Sequence, residues 1–225
     1  MYSDFETEFE AEKEVAECVP LISTHPLYIL YTSGTTGAPK GVVRDTGGTA
    51  VALNWVVENV FDINQGEMMF SASDIGWVVG HSFIVYGPMM RGATTIVFEG
   101  KPITPNPGAF WRIVEEYKVK TLYAAPTAVR IIKKEDYEGE YVKKHDISSL
   151  KNFLLVGERC DPDTIWWMHR NLPDVKINDT WWQTETGWPI SANLLKMAHW
   201  KTIFPTLPGA VTRPVPGYDV QIVDD

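Results

Sequence analysis

The sequence predicts an α/β fold, a layered and mainly parallel sheet with helices on its faces, and three observations carry that prediction. Short runs of β-branched, aromatic and other apolar residues alternate with helix-length segments from residue 27 to residue 179. A glycine-rich turn follows the first of these runs. Beyond residue 199 the alternation stops, and Pro205, Pro208, Pro214 and Pro216 punctuate an irregular connection.

Taken in order, residues 5 to 17 set Phe5 and Phe9 one helical turn apart, but six acidic residues against Lys13 alone favour fraying or disorder about as much as a helix. A buried strand at 27–31 then feeds the turn. Thr46 is the expected cap of a helix near 49–60, with Leu53, Val57 and Val60 on one face. Further strands are expected at 67–72, 94–98, 120–124, 150–156 and 175–179. Helices are expected at 108–118, from Pro126, and after Asp161-Pro162, an N-cap with proline at the first helical position. Residues 74–88 read as a loop, with glycines at 76, 80 and 87 beside large rings. A last strand, Tyr218 to Val223, opens what reads as a truncated β-rich subdomain at 201–225, after an acidic segment (1–20) and an α/β core (21–200).

The chain has 225 residues, 44% of them apolar, enough for a substantial core. Much of its net charge of −9 falls in the first 17 residues, and no basic patch exists to follow a nucleic-acid backbone. Cys18 and Cys160 are too few for a disulfide framework and lack metal-binding spacing. No leader-like or membrane-spanning run is visible. These features fit a protein of the cytosol or an organelle lumen, the mitochondrial matrix included, without nucleic-acid or membrane partners.

The turn itself reads Tyr28-Ile-Leu-Tyr-Thr-Ser-Gly-Thr-Thr-Gly-Ala-Pro-Lys-Gly41. Glycines let backbone N–H groups face an anion, hydroxyls add donors, and lysine adds charge, so Thr32, Ser33, Gly34, Thr35, Thr36, Gly37 and Lys40 are candidate phosphate contacts. It is not a Walker A loop. Counting from Gly34 places Pro39 where the second glycine should stand, and Lys40 precedes Gly41 rather than a hydroxyl.

Three later stretches carry polar chemistry at strand ends, where ligands of open α/β sheets gather. Asp74-Ile-Gly-Trp-Val-Val-Gly-His-Ser runs through Trp77, Val78 and Val79 to His81, which taken alone reads as a structural histidine. Val156-Gly157-Glu158-Arg159 lies between a strand and a capped helix. Asp179-Thr-Trp-Trp-Gln-Thr-Glu-Thr-Gly187 sets six polar side chains around a tryptophan pair, a composition that suits a shaped pocket.

With the opening turn, these stretches resemble the adenylate-forming enzymes, and most closely the short-chain acyl-CoA synthetases of propionyl-CoA and acetyl-CoA type. Arg159, where acetyl-CoA synthetases carry proline, matches the propionyl branch. The resemblance covers about Cys18 to Asp225. It implies an AMP-forming ligase that couples a short-chain carboxylate to CoA with ATP and Mg²⁺ through an acyl-adenylate. It implies nucleotide contacts at the phosphate turn, at Gly157, Glu158 and Arg159, and at Asp179, Thr180, Trp181, Trp182, Gln183 and Thr184. It also implies an acyl pocket of Trp77, Val78, Val79, Val156 and Trp182, a metal contact at Glu185, and catalytic roles for Lys40, Thr184 and Glu185. Family members carry further segments on both sides, among them a mobile domain with a catalytic lysine. The expectation is therefore a ligase core with little activity alone, which would associate with the remaining parts if they are separately encoded. The alternative is a non-catalytic nucleotide- or partner-binding remnant.

Overall fold

The computed structural model describes residues 16–33, 37–196 and 207–224. The Phe5–Phe9 helix, Gly34, Thr35, Thr36 and the stretch 201–206 lie outside them.

The first two strands, β1 (Pro26–Thr32) and β2 (Lys40–Asp45), form an antiparallel hairpin apart from the main sheet. This corrects the expectation of a buried strand entering a parallel unit: Ile29 is 55% and Tyr31 69% exposed. The physical reason is connection length. The short turn between residues 32 and 40 can close an antiparallel pair, whereas a parallel pair needs a crossover of a dozen residues or more.

Helix α1 (Thr46–Asn59) starts earlier than expected, and its cap is Asp45, whose carboxylate accepts the Gly48 N–H at 2.7 Å. The Thr46 hydroxyl instead donates to the His25 carbonyl at 2.8 Å, tying the helix start to the connector before β1.

Strand β3 (Met68–Ala72) follows, and then residues 78–90 form a helical run, α2, rather than the expected loop. It consists of Val78–Gly80, a π-helical stretch His81–Tyr86, and Gly87–Met90. Gly87 explains why glycine stands in this helix: a Cβ there would lie 2.6 Å from the Ser82 carbonyl oxygen and 2.8 Å from Val57 Cγ2 of α1. The bare backbone lets α1 and α2 meet.

The remaining elements are β4 (Thr94–Thr95), α3 (Ala109–Tyr117), β5 (Thr121–Ala124), α4 (Pro126–Glu135), α5 (Glu140–Lys143), β6 (Asn152–Leu155), α6 (Pro162–Asn171) and β7 (Lys176–Asp179). The expected cap of α6 is present, with the Asp161 carboxylate accepting the Thr164 N–H at 2.9 Å. Residues 218–224 form no strand; before them, Ala192 N–H donates to the Arg213 carbonyl and Val215 N–H to the Ile190 carbonyl.

The five strands form one parallel sheet in the order β4-β3-β5-β6-β7. Their residues alternate between two cores. Phe70, Leu122, Ala124, Phe153 and Leu155 pack with side chains of α3, α4 and α6, while Met69, Tyr123 and Leu154 pack with α1 and α2. The expected α/β class with a mainly parallel sheet is therefore the fold. After β3 the chain steps outward to β4, then returns past β3 to β5 and continues the other way. The carboxyl ends of β3 and β5 flank that reversal, the usual place for a ligand crevice.

Candidate functional site

Two adjoining cavities open at the carboxyl ends of the strands. The first, of about 550 Å³, is lined by Ser73 and Asp74 after β3, Trp77, Val78 and Val79 of α2's start, Ala125 after β5, Val156 and Gly157 after β6, and Trp182 to Glu185 after β7. The second, of about 620 Å³, is lined by Gly157, Glu158, Arg159, Asp179 to Gln183, Gly209 and Val211. Gly157, Trp182 and Gln183 belong to both. Three stretches distant in sequence thus converge because each follows a strand of one parallel sheet.

Trp182 is the wall between the cavities. It is buried, its indole N–H donates to the Tyr123 hydroxyl at 2.8 Å, and its ring meets the edge of Phe83 at 5.5 Å. Val78 and Val156 are buried beside it, whereas Trp77 is 67% exposed. Trp181 is turned outward, and its backbone pairs with Ser191.

The turn after Trp182 is held from two sides. Gly187 N–H donates to the Gln183 carbonyl at 3.0 Å, closing the turn, and the Arg44 guanidinium donates to the Thr184 carbonyl at 2.6 Å. The buried Ser82 hydroxyl of α2 donates to the Gly187 carbonyl at 2.8 Å, and Arg44 lies over the Trp188 ring at 5.3 Å. Arg44 and Ser82 were not legible as site residues. Their only sequence signal is position, Arg44 at the end of β2 and Ser82 directly after His81.

In the second cavity Asp179 is 2% exposed, and neither carboxylate oxygen closes a hydrogen bond among the described residues. Burial pushes its carboxyl up to about 6, outweighing the opposing pull of the Cys160 and Thr180 backbone N–H groups and of Arg159. A buried carboxyl that faces only backbone N–H groups, outside hydrogen-bond geometry, beside a cavity suits a ligand that brings better-placed donors. Glu158 differs. Its carboxylate is hydrogen-bonded by the Thr127 hydroxyl and paired with Arg130 at 2.6 Å, and these two contacts hold its pKa below the usual carboxylate range. The glutamate is committed to α4. Arg159 packs against Gly209, where a Cβ would come within 2.4 Å of the guanidinium.

The described residues of the glycine-rich turn stand apart. Thr32, Ser33, Gly37 and Lys40 line neither cavity; Thr32 and Lys40 pair at the turn end of the hairpin. Lys40 and Arg44 are four residues apart on β2, so the lysine stands about 13 Å along the strand from the anchor on Thr184. His81 Nδ1–H donates to the Trp77 carbonyl at 3.0 Å, and its ring lies 5.2 Å from Tyr28, a structural setting.

Glu185 is exposed on the first cavity, and no group of three His, Cys, Asp or Glu residues among the described residues could hold a metal ion. A lone carboxylate at a cavity mouth fits a Mg²⁺ ion that arrives with phosphates and keeps most of its waters, not a dedicated protein cage. No helix among the described residues is long and apolar enough to cross a membrane.

The family model described as AMP-binding enzyme matches residues 2–225. Among similar proteins, an uncharacterized protein of Pseudomonas aeruginosa is 49% identical over 218 residues, 96% of this chain and 34% of that protein. Acyl-CoA synthetase short-chain family member 3, mitochondrial, of Mus musculus is 48% identical over 223 residues, 99% of this chain and 32% of its own length. Propionate--CoA ligase of Escherichia coli is 48% identical over 197 residues, 88% of this chain and 30% of the ligase. The chain spans about a third of the length of these relatives. By its match along nearly its whole length, and by relatives named for acyl-CoA synthesis, this chain belongs to the AMP-binding enzyme family.

Proposed function

We propose that the chain supplies the acyl and adenine subsites of an AMP-forming short-chain acyl-CoA ligase acting on propionate or a carboxylate of similar size. In this reaction a carboxylate oxygen attacks the α-phosphorus of ATP, the bond to pyrophosphate breaks, and an acyl-adenylate forms. The CoA thiol then attacks the acyl carbonyl and AMP leaves. The observation that carries the reading is the shared wall: Trp182 borders both cavities, so an acyl group on one side and adenosine on the other meet at Trp182 and Gln183.

No protein nucleophile is required, and catalysis rests on positioning and on charge neutralisation at phosphate. Val78, Val79 and Val156 with Trp182 enclose the alkyl group, while Trp77 stands at the entrance on the side where a thiol would approach. Gly157 and Arg159 border adenine through the backbone and the packed guanidinium. Asp179 accepts from adenine or from an ordered water, and Thr180, Trp181, Gln183 and Thr184 line the path to the α-phosphate. Glu185 would hold Mg²⁺, which supplies charge neutralisation when bound with the nucleotide. Thr32, Ser33, Gly34, Thr35, Thr36, Gly37 and Lys40 would close on the β- and γ-phosphates.

Isothermal titration with the propyl ester of AMP, a stable mimic of propionyl-adenylate, tests the reading. Saturable binding that free propanol does not reproduce is expected. Absence of binding to AMP and to the ester would overturn it. Because Lys40 lines neither cavity, we expect the 225-residue chain to bind the adenylate mimic far better than it catalyses ATP–pyrophosphate exchange. A second reading, a nucleotide-binding module without turnover, draws on the same separation of Lys40 and predicts binding with no exchange under any condition.

A further inference from the structure

A buried chain of hydroxyls runs behind the wall between the cavities. The Trp182 indole N–H donates to the Tyr123 hydroxyl oxygen at 2.8 Å. The Thr180 hydroxyl donates its one hydrogen to the Leu155 carbonyl at 2.6 Å, an oxygen that also accepts the Thr180 backbone N–H. That hydrogen is spent, so at the 3.2 Å contact between Tyr123 and Thr180 the phenol must be the donor. Every hydrogen in the chain is then used once and in one direction, from Trp182 to Tyr123 to Thr180 to Leu155. Tyr123 is completely buried in the centre of β5, and its ring is held edge-on by Phe61 at 4.8 Å and Phe83 at 5.5 Å. It lines neither cavity.

We infer that Tyr123 is a positioning residue that fixes the Trp182 indole and thereby sets the length of acyl group the first cavity accepts. A buried indole N–H has no free alternative: if the ring tilts away from the phenol, the N–H loses its acceptor and the phenol keeps an unfilled lone pair. A fixed indole is a hard wall, and an unfixed one can move to admit further methylenes. The inference rests on the reading of Trp182 as the acyl wall given above, and it adds what gives that wall its rigidity.

The test uses Tyr123→Phe, which keeps the ring and its edge contacts and removes one oxygen. In the 225-residue chain, the ¹⁵N-resolved exchange of the Trp182 indole hydrogen, assigned with Trp182→Phe, is expected to quicken by roughly tenfold or more. The affinity ratio of propyl over hexyl ester of AMP is expected to fall by about fivefold or more in the same variant. Unchanged exchange overturns the inference. Faster exchange with an unchanged ratio also overturns it, since the phenol would then only support packing. A wild-type chain that binds the esters without regard to length, or not at all, fells the acyl-wall reading and the length assignment with it, while the exchange result still reports on the hydrogen-bond chain by itself. Should Tyr123→Phe not fold, Thr180→Val removes the acceptor of the Tyr123 hydrogen and must shift both readouts in the same direction by a smaller factor; no shift overturns the inference.

Discussion

Arg44 reaches out of the hairpin to donate to the carbonyl of Thr184, over 2.6 Å and 140 residues of sequence. With the Ser82 hydroxyl on the Gly187 carbonyl, this contact decides where the 183–187 turn sits over the first cavity. It is also the bond that ties the strand carrying Lys40 to the turn carrying Glu185. A charged donor on a partly buried carbonyl is worth about 1.5–3 kcal/mol. Arg44→Ala is therefore expected to lower the urea-unfolding free energy by about 2 kcal/mol. Arg44→Lys should recover less than half, because a point ammonium cannot reach the carbonyl and lie flat over Trp188 together. Full recovery by lysine would show that charge alone matters.

Gly187 is the other half of that junction. Its φ is +81°, and a Cβ there would lie 3.0 Å from the Arg44 guanidinium. Gly187→Ala is expected to cost about 1–3 kcal/mol in the same denaturant series. In the Arg44→Ala background the crowding part of that cost should vanish and the backbone part stay. Strict additivity of the two substitutions would place them in separate interactions.

The pH dependence of stability isolates Asp179. Its folded pKa of about 6 lies above the ordinary 3.8, so its contribution to stability is complete below pH 3.8 and is lost as the pH rises through about 6. Glu67, Glu158 and Asp161 are held below their ordinary values and act in the opposite sense, losing stability as the pH falls. The difference between wild type and Asp179→Asn cancels these. Relative to wild type, the asparagine variant should gain on the order of 2–3 kcal/mol between pH 4 and pH 8, since two pKa units correspond to about that amount. Denaturant curves at unit pH intervals measure it. A flat difference would mean that the carboxyl is solvated.

The strand and helix pattern of the sheet was legible because buried parallel strands read as short apolar runs and their helices carry caps, as at Asp161. The hairpin was not: Lys40-Gly-Val-Val-Arg-Asp45 carries little alternation, and nothing local distinguishes its antiparallel pairing from entry into a βα unit. The helical run 78–90 was hidden by Gly80 and Gly87, which break a helix signal yet are needed here for close packing. In the candidate site, residues that follow strands were legible from sequence because the sheet brings strand ends together. Arg44, Ser82 and Tyr123 were not, because each reaches its partner through tertiary packing that no spacing encodes.

The side chain of Glu158 provides a contrast with its own backbone. Motif position alone makes it a nucleotide contact, but its carboxylate is engaged by Thr127 and Arg130. Glu158→Gln is therefore expected to change the affinity for the propyl ester of AMP by less than about threefold. Its effect on stability should be no more than about 1 kcal/mol, since the pair is partly exposed and solvent screens it. A tenfold loss of affinity without loss of stability would assign the carboxylate to the ligand.

Trp182→Gly tests the wall itself. The indole fills the floor between Phe83, Val78 and Val156, and its removal opens space that only a longer alkyl group can use. A methylene gains about 1–3 kcal/mol by favourable contact, so two or three new contacts would offset the ordering of a longer chain. Hexyl ester should therefore bind the variant at least about tenfold better relative to propyl ester than it binds wild type. Propyl ester should bind more weakly, since its terminal methyl loses its partner. The indole loss also exposes the Tyr123 hydroxyl to the new cavity, so water will enter to satisfy it unless an alkyl chain excludes it. That competition caps the gain, and it makes the double variant Trp182→Gly/Tyr123→Phe the better binder of long esters. If the length profile does not move in either variant, the acyl group does not rest on Trp182.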